Sequence, residues 1–222
     1  MTLTTKDCAD LNLGIYGITP VTWDKYDDGS ADDGVCWAIK SVQDVHVIVF
    51  RGSDNLKDWM RDVMALTKPW GAQGLGPVHP GFFLGMLKVW GEIKSSGQPL
   101  NRMVVTGHSL GAGRTKILVG EMVLDKTPPI GMVRFGSPRP GFKILSDVVK
   151  AVPSWSYRNT DGGRHHDLVT NVPFSFPPES YTDEQPIDLT VTPTPEADDP
   201  LGMFRFHHIQ LYAGAVPATT VV

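Results

Sequence analysis

Short apolar runs rich in β-branched residues alternate along this chain with stretches whose apolar positions recur every three or four residues. Over 5–16, Cys8, Leu11, Ile15 and Tyr16 fall at helical spacing and predict an opening amphipathic helix. Val35 to Lys40 and Val45 to Phe50 read as two strands, and the second is so nearly all apolar that it belongs inside a sheet. Leu56, Trp59, Met60, Val63 and Met64 follow i, i+3, i+4, i+7, i+8, a short and strongly amphipathic helix that Ser53 or Asp54 would cap. Thr67 to Pro80, punctuated by Pro69, Gly71, Gly74, Gly76 and Pro77, reads as loop, and 81–94 as one helix. Apolar residues at 104–106 and 130–135 predict buried strands, with helices over 110–124 and 142–149. Residues 155–159 read as one more strand, followed by a polar loop to Asp167. The proline-rich stretch 171–200 reads as loop with at most a short strand near Ile187 to Val191, and 204–212 leads into a final helix. Strand and helix in alternation predict an α/β fold with a mainly parallel central sheet flanked by helices.

At 222 residues the chain fits one domain spanning 1–222. A net charge of −4 and a pI near 5.9 argue against a nucleic-acid partner, which calls for a basic face. No apolar run approaches the roughly 20 residues that span a bilayer. Met1 to Asp7 lacks the charged-then-apolar pattern of a secretory leader. The expectation is a protein that stays in the cytoplasm, leaves without a leader, or has lost one. Cys8 and Cys36 are too few for a disulfide framework and are expected as reduced thiols, with one bridge between them as the alternative. The Asp-rich stretch from Trp23 to Gly34 lacks the ligand spacing of a calcium loop and reads as a solvated connection.

The chemistry concentrates at Gly107-His108-Ser109-Leu110-Gly111, a G-x-S-x-G pattern after the strand at 104–106. Such a turn is tight enough to need glycines (Gly107, Gly111) beside the serine, and it lifts the Ser109 hydroxyl above the sheet. A hydroxyl is a weak nucleophile at neutral pH, so it needs a base beside it and donors for an oxyanion. The helix at 54–66 has two open readings: permanent packing on the core, or a lid whose apolar face covers the site. His165 and His166 beside Asp167 are too close together to converge on one ion, so no metal is expected.

Taken together, several segments over about 44–212 resemble the class 3 (fungal-type) lipases of the α/β-hydrolase fold. They are Val49-Phe50-Arg51-Gly52-Ser53, Trp59 with Asp62, His79-Pro80-Gly81-Phe82, Gly107 to Gly111, Phe135-Gly136-Ser137-Pro138-Arg139, and Asp167-Leu168-Val169 with Pro173. The resemblance implies a serine-dependent carboxylic ester hydrolase, most readily a lipase for acylglycerols or related lipid esters with transient contact at a lipid interface. An esterase for short-chain or aromatic acyl esters is the alternative, and a non-catalytic binding relative a third reading. It implies Ser109 as nucleophile, Asp167 as the acid, with Asp161 and Asp147 as rivals, and His207 as base, with His208 as the alternative. Tyr212, five residues after His207, favours the former, whereas Phe206 stands where many relatives have Asp. The oxyanion donors would be the N–H groups of Leu110 and Ser53, with the Ser53 hydroxyl as a third. Leu56, Trp59, Met60 and Val63 would form the apolar face of a short helical lid at 54–66. Phe174, Phe176, Phe204 and Phe206 would wall the acyl chain or belong to the core. His108 is expected to pack or hydrogen-bond beside the elbow, and no cofactor is implied. Arg114 and Lys116, where relatives are small and apolar, suggest a less buried helix or charges paired with distant acids.

Overall fold

The computed structural model describes residues 2–30, 34–53, 55, 59, 69–173, 185–193 and 204–222. In chain order its elements are α1 (Thr5–Ile15), β1 (Lys25–Asp27), β2 (Trp37–Val42), β3 (Val45–Phe50), β4 (Trp70–Ala72), β5 (Gly76–Val78), α2 (Pro80–Phe83) and α3 (Met86–Lys94). There follow β6 (Met103–His108), α4 (Leu110–Leu124), β7 (Gly131–Phe135), α5 (Lys143–Val149), β8 (Ser154–Thr160), β9 (Ile187–Thr190) and α6 (Ile209–Ala215). Among the described residues seven strands form the main sheet, in the order β1-β2-β3-β6-β7-β8-β9. The pairs β1–β2 and β2–β3 are antiparallel, and every pair from β3–β6 to β8–β9 is parallel. This is the expected α/β-hydrolase layout.

The sheet is apolar because both faces are covered. Successive strand residues point to opposite sides, so Val47 and Val49 of β3 join Val104 and Val133 in a core with Cys8, Leu11 and Ile15 of α1 and Tyr212 of α6. Ile48 and Phe50 face the other way, with Val105 and Met132, into a core built with Val89 and Ile93 of α3, Leu118 of α4 and Leu145 of α5. α1 starts with a capping box in which Thr4 and Asp7 satisfy each other's backbone N–H groups. Its start is tied to the chain's other end by Thr5 N–H to Thr219 O (2.9 Å) and Thr5 Oγ to Pro217 O (2.5 Å). In its middle, buried Asn12 donates to Thr106 Oγ of β6 (3.0 Å).

Several local expectations change. The stretch read as loop at 67–80 contains the hairpin β4–β5, whose arms of three residues are too short to show periodicity. β1 pairs on the sheet edge inside the stretch read as a connection, and the strand expected at 35–40 runs two residues later. The helix expected over 81–94 is two helices, broken where Gly85 adopts φ 81°. α4 is not less buried: Arg114 and Lys116 are inside, with Arg114 reaching Gly34 O (3.4 Å) and Lys116 Nζ reaching Ser146 Oγ (3.0 Å). Cys8 and Cys36 are both buried and unbridged. Among the described residues no helix is long and apolar enough to cross a membrane.

Candidate active site

The carboxyl ends of β3, β6, β7 and β8 point to one side of the sheet, where parallel α/β proteins place their ligands. Gly52-Ser53 follows β3, Ser109 follows β6, Gly136 follows β7, and the loop after β8 brings Asp167. The turn at Ser109 is as sharp as the sequence requires. Ser109 has φ 59° and ψ −129°, a conformation that costs a non-glycine residue about 1–3 kcal/mol and persists only when its surroundings enforce it. Its N–H donates to Phe135 O (3.0 Å), and its carbonyl accepts from Ala112 N–H (2.9 Å) in the first turn of α4. A Cβ at Gly107 would lie 2.3 Å from Gly111 O, and one at Gly111 would lie 2.2 Å from Phe50 O. The glycines let strand, turn and helix close onto each other. The Leu110 N–H opens α4, where the first N–H groups of a helix have no carbonyl of their own helix to bond.

Asp167 is fully buried and caps the short 3-10 turn Leu168–Asn171, accepting Val169 N–H on Oδ1 (3.0 Å). Its N–H is fixed by Asn159 O (2.9 Å). Its Oδ2 accepts from His207 Nδ1 (2.6 Å) and from the Tyr212 hydroxyl (2.5 Å), whose oxygen accepts Asn159 N–H (3.3 Å). Burial pushes the carboxyl up, but the His207 ring and the hydrogen bonds from His207, Tyr212 and Val169 outweigh it, leaving Asp167 below the ordinary carboxylate range. Gly136, with φ 57°, passes beneath this pair: a Cβ there would lie 2.7 Å from Asp167 Oδ2 and 2.9 Å from His207 Cε1.

His207 is 3 % exposed and held at both backbone ends. Its N–H donates to Phe204 O (2.7 Å), and the preceding carbonyl, of Phe206, accepts from buried Asn159 Nδ2 (2.8 Å). Of the two adjacent histidines, His207 meets Asp167; His208 instead begins α6 as its N-cap. With Nδ1 committed to the carboxylate, His207 Nε2 is left buried without a hydrogen-bond partner among the described residues, and so is Ser109 Oγ. Both residues line one cavity of about 240 Å³, shared with Ser53, His208 and the apolar surfaces of Ile18 and Ile209. Two unsatisfied buried polar groups facing one cavity mark a place where a polar reactant is to enter.

The rival acids lie elsewhere: Asp161 pairs with His165 (2.7 Å) and Asp147 with Lys143 (2.6 Å), both at the surface. His166 bonds Asn171 Nδ2 through Nε2 (2.9 Å). The Ser53 hydroxyl is engaged in its own turn, donating to Asn55 O (3.1 Å), so only its N–H remains as an oxyanion donor. Of the helix at 54–66, Leu56, Met60 and Val63 lie outside the described residues. Trp59 is buried edge-on against Phe82 (5.8 Å, 68°), whose ring also meets His79 (5.4 Å). Phe174 and Phe176 lie outside the described residues, and Phe204 and Phe206 are buried. Sequence reasoning missed Asn159 and Tyr16, and read Tyr212 only as a spacing mark. Their side chains meet partners tens of residues away, so no local pattern betrays them.

Residues 47–176 match the family model described as lipase (class 3). Among solved structures, the fold is similar to a triacylglyceride lipase of Rhizomucor miehei, with TM-score 0.66, 19% identity, and coverage of 98% of this chain and 90% of that one. A triacylglycerol lipase of Penicillium expansum gives TM-score 0.60 at 15% identity, covering 99% and 92%. The mono- and diacylglycerol lipase of Aspergillus oryzae gives TM-score 0.59 at 20% identity, covering 79% of this chain and 65% of that one, so the chain spans about two thirds of its length. No curated protein matches the sequence significantly.

Proposed function

Because this chain belongs to the class 3 lipase family, we propose that it is a serine-dependent carboxylic ester hydrolase acting on acylglycerols or related lipid esters. The observation that carries the reading is the pair of unsatisfied atoms, Ser109 Oγ and His207 Nε2, lining one cavity while Asp167 holds the imidazole by its other nitrogen.

The Asp167 bond puts a proton on His207 Nδ1 and leaves Nε2 as the basic nitrogen. As Ser109 Oγ attacks the ester carbonyl, Nε2 takes its proton, and Asp167 stabilises the imidazolium that forms. The tetrahedral oxyanion is met by the N–H groups of Leu110 and Ser53, worth about 3 kcal/mol each to the transition state. Collapse passes the proton to the leaving alcohol and leaves an acyl group on Ser109, which water removes by the same steps. Residues 54–66 serve as the lid, with Trp59 as its anchor on Phe82. The lid opens where the molecule meets a lipid surface. The acylglycerol substrates named for the similar structures and the apolar wall of Ile18 and Ile209 support a lipid ester.

The test is hydrolysis of a p-nitrophenyl ester chain-length series and of emulsified triacylglycerol by wild type and Ser109→Ala. The expected outcome is activity that rises above substrate solubility and falls by about 10⁴-fold or more in the variant. Preference for acetyl esters with no rise at the interface would replace the lipase reading by an esterase. Activity retained in Ser109→Ala, or lost in His208→Ala but not in His207→Ala, would overturn the assignment of the site.

A further inference from the structure

His108, inside the elbow, sits between Tyr16 and His207. Its Nε2 lies 2.7 Å from the main-chain carbonyl oxygen of His207, and its Nδ1 lies 3.0 Å from the Tyr16 hydroxyl. A carbonyl only accepts, so Nε2 carries the proton. Burial first, and the neighbouring His207 ring second, hold the His108 imidazole well below the ordinary histidine range, so it stays neutral and Nδ1 is bare. The Tyr16 hydroxyl therefore donates to Nδ1, and its oxygen accepts Gly52 N–H at 3.0 Å. The bonds run one way, from Gly52 through Tyr16 and His108 to the backbone of His207. The hydroxyl also fits tightly: a Cβ on residue 52 would lie 2.3 Å from it.

Each end of this chain touches a different part of the reaction. Gly52 precedes the residue whose N–H meets the oxyanion, and His207 is the base. Tyr16 comes from neither neighbourhood. It caps the C-terminus of α1, ahead of the family-matched residues 47–176, and α1 is itself anchored to β6 through Asn12 and to the chain's last residues through Thr5. We propose that Tyr16 and His108 are positioning residues, holding the Gly52–Ser53 strand end at a set distance from the His207 segment. The oxyanion donor and the base thereby keep their spacing. This rests on the roles given above to Ser109, His207 and Ser53.

Two measurements on the full chain test it. The ¹⁵N spectrum of the wild type at neutral pH should show His108 as the neutral Nε2–H tautomer; an Nδ1–H tautomer overturns the relay. Tyr16→Phe, which removes one oxygen and keeps the ring, should lower kcat on p-nitrophenyl butyrate about 10-fold with KM within about twofold, as expected for misplacement of reacting groups. Phosphonate labelling of Ser109 should slow in parallel. The double variant Tyr16→Phe, His108→Gln should lose no more than about twofold beyond the worse single one, because both break one chain. A folded Tyr16→Phe with unchanged kcat, or with only KM raised, overturns the role; the latter would make Tyr16 a substrate-contacting wall of the cavity it lines. A wild type that takes neither ester nor phosphonate overturns the parent reading and this role together. A labelled, active wild type with an indifferent Tyr16→Phe overturns this role alone.

Discussion

One carboxylate oxygen, Asp167 Oδ2, receives both His207 Nδ1 (2.6 Å) and the Tyr212 hydroxyl (2.5 Å). The two donors do different work. His207 is the group being oriented, whereas Tyr212 helps keep the buried carboxylate charged enough to orient it. In Tyr212→Phe the carboxyl loses a donor that holds it down, so its pKa rises. The lowest-pH part of the acid limb of the kcat/KM profile, the part set by Asp167 below 3.8, should then move to higher pH. At neutral pH kcat/KM should fall about 10-fold, the size of a hydrogen bond to a charged group worth about 1.5 kcal/mol. Profiles of wild type and variant on one soluble ester decide this, and an unmoved limb would leave Tyr212 as packing alone. Asp167→Asn should be harsher, about 10⁴-fold in kcat, because an amide no longer enforces the Nδ1–H tautomer of His207.

At the scale of elements, what could be read in advance follows how local the physical constraint is. The strand, tight turn and helix around Ser109 are dictated by adjacent residues, and the structure has them where the sequence places them. Asp167 and His207 were reachable only through resemblance, since a polar loop and a histidine pair carry no periodicity. The links from Asn159 to Phe206, and from Tyr16 to Gly52 and His108, were invisible because their partners lie 47, 36 and 92 residues apart. The helix over 81–94 misled for a local reason: its apolar spacing continues across Leu84-Gly85, although Gly85 turns the backbone to φ 81°. Two glycines of this segment should therefore answer oppositely to the same change. Gly85→Ala forces a left-handed alanine and should destabilise by about 1–2 kcal/mol. Gly91→Ala, inside α3 with nothing within 4 Å of the added carbon, should stabilise by about 0.5–1 kcal/mol. Urea denaturation of the two variants checks the pair, and shifts of the same sign would mean that the break at Gly85 is not a real feature of the fold.

For the whole molecule, the site makes stability depend on acid in two stages. His108 is buried and neutral, with its pKa well below the ordinary histidine value of 6.5, so as pH falls the unfolded chain takes up this proton first. Its contribution is complete above about pH 6.5 and declines below it, by at most about 1.4 kcal/mol per pH unit for one proton. Asp167 has the same sign but acts lower: held below 3.8, it contributes above that value and is lost as pH falls through its folded pKa. The groups facing His108 are Tyr16 from α1, His207 and His208 from the segment entering α6, Tyr212 from α6, and Asp167 from the loop after β8. Among them the His207 main-chain carbonyl, which accepts from the ring, and Asp167 favour a charged imidazole, and burial together with the His207 and His208 rings outweighs them. His166 is shifted the same way but is only partly buried, so its share is smaller. Replacing His108 by Gln removes the titration while retaining an amide donor for the His207 carbonyl. Melting temperatures between about pH 7.5 and 5 should therefore fall in the wild type and change less in His108→Gln, whereas the later loss near pH 3.8 and below, set by Asp167, should remain in both. Parallel curves over the upper range would mean that His108 is already charged in the folded protein, and the one-way bonding from Gly52 to His207 would then lack its central acceptor.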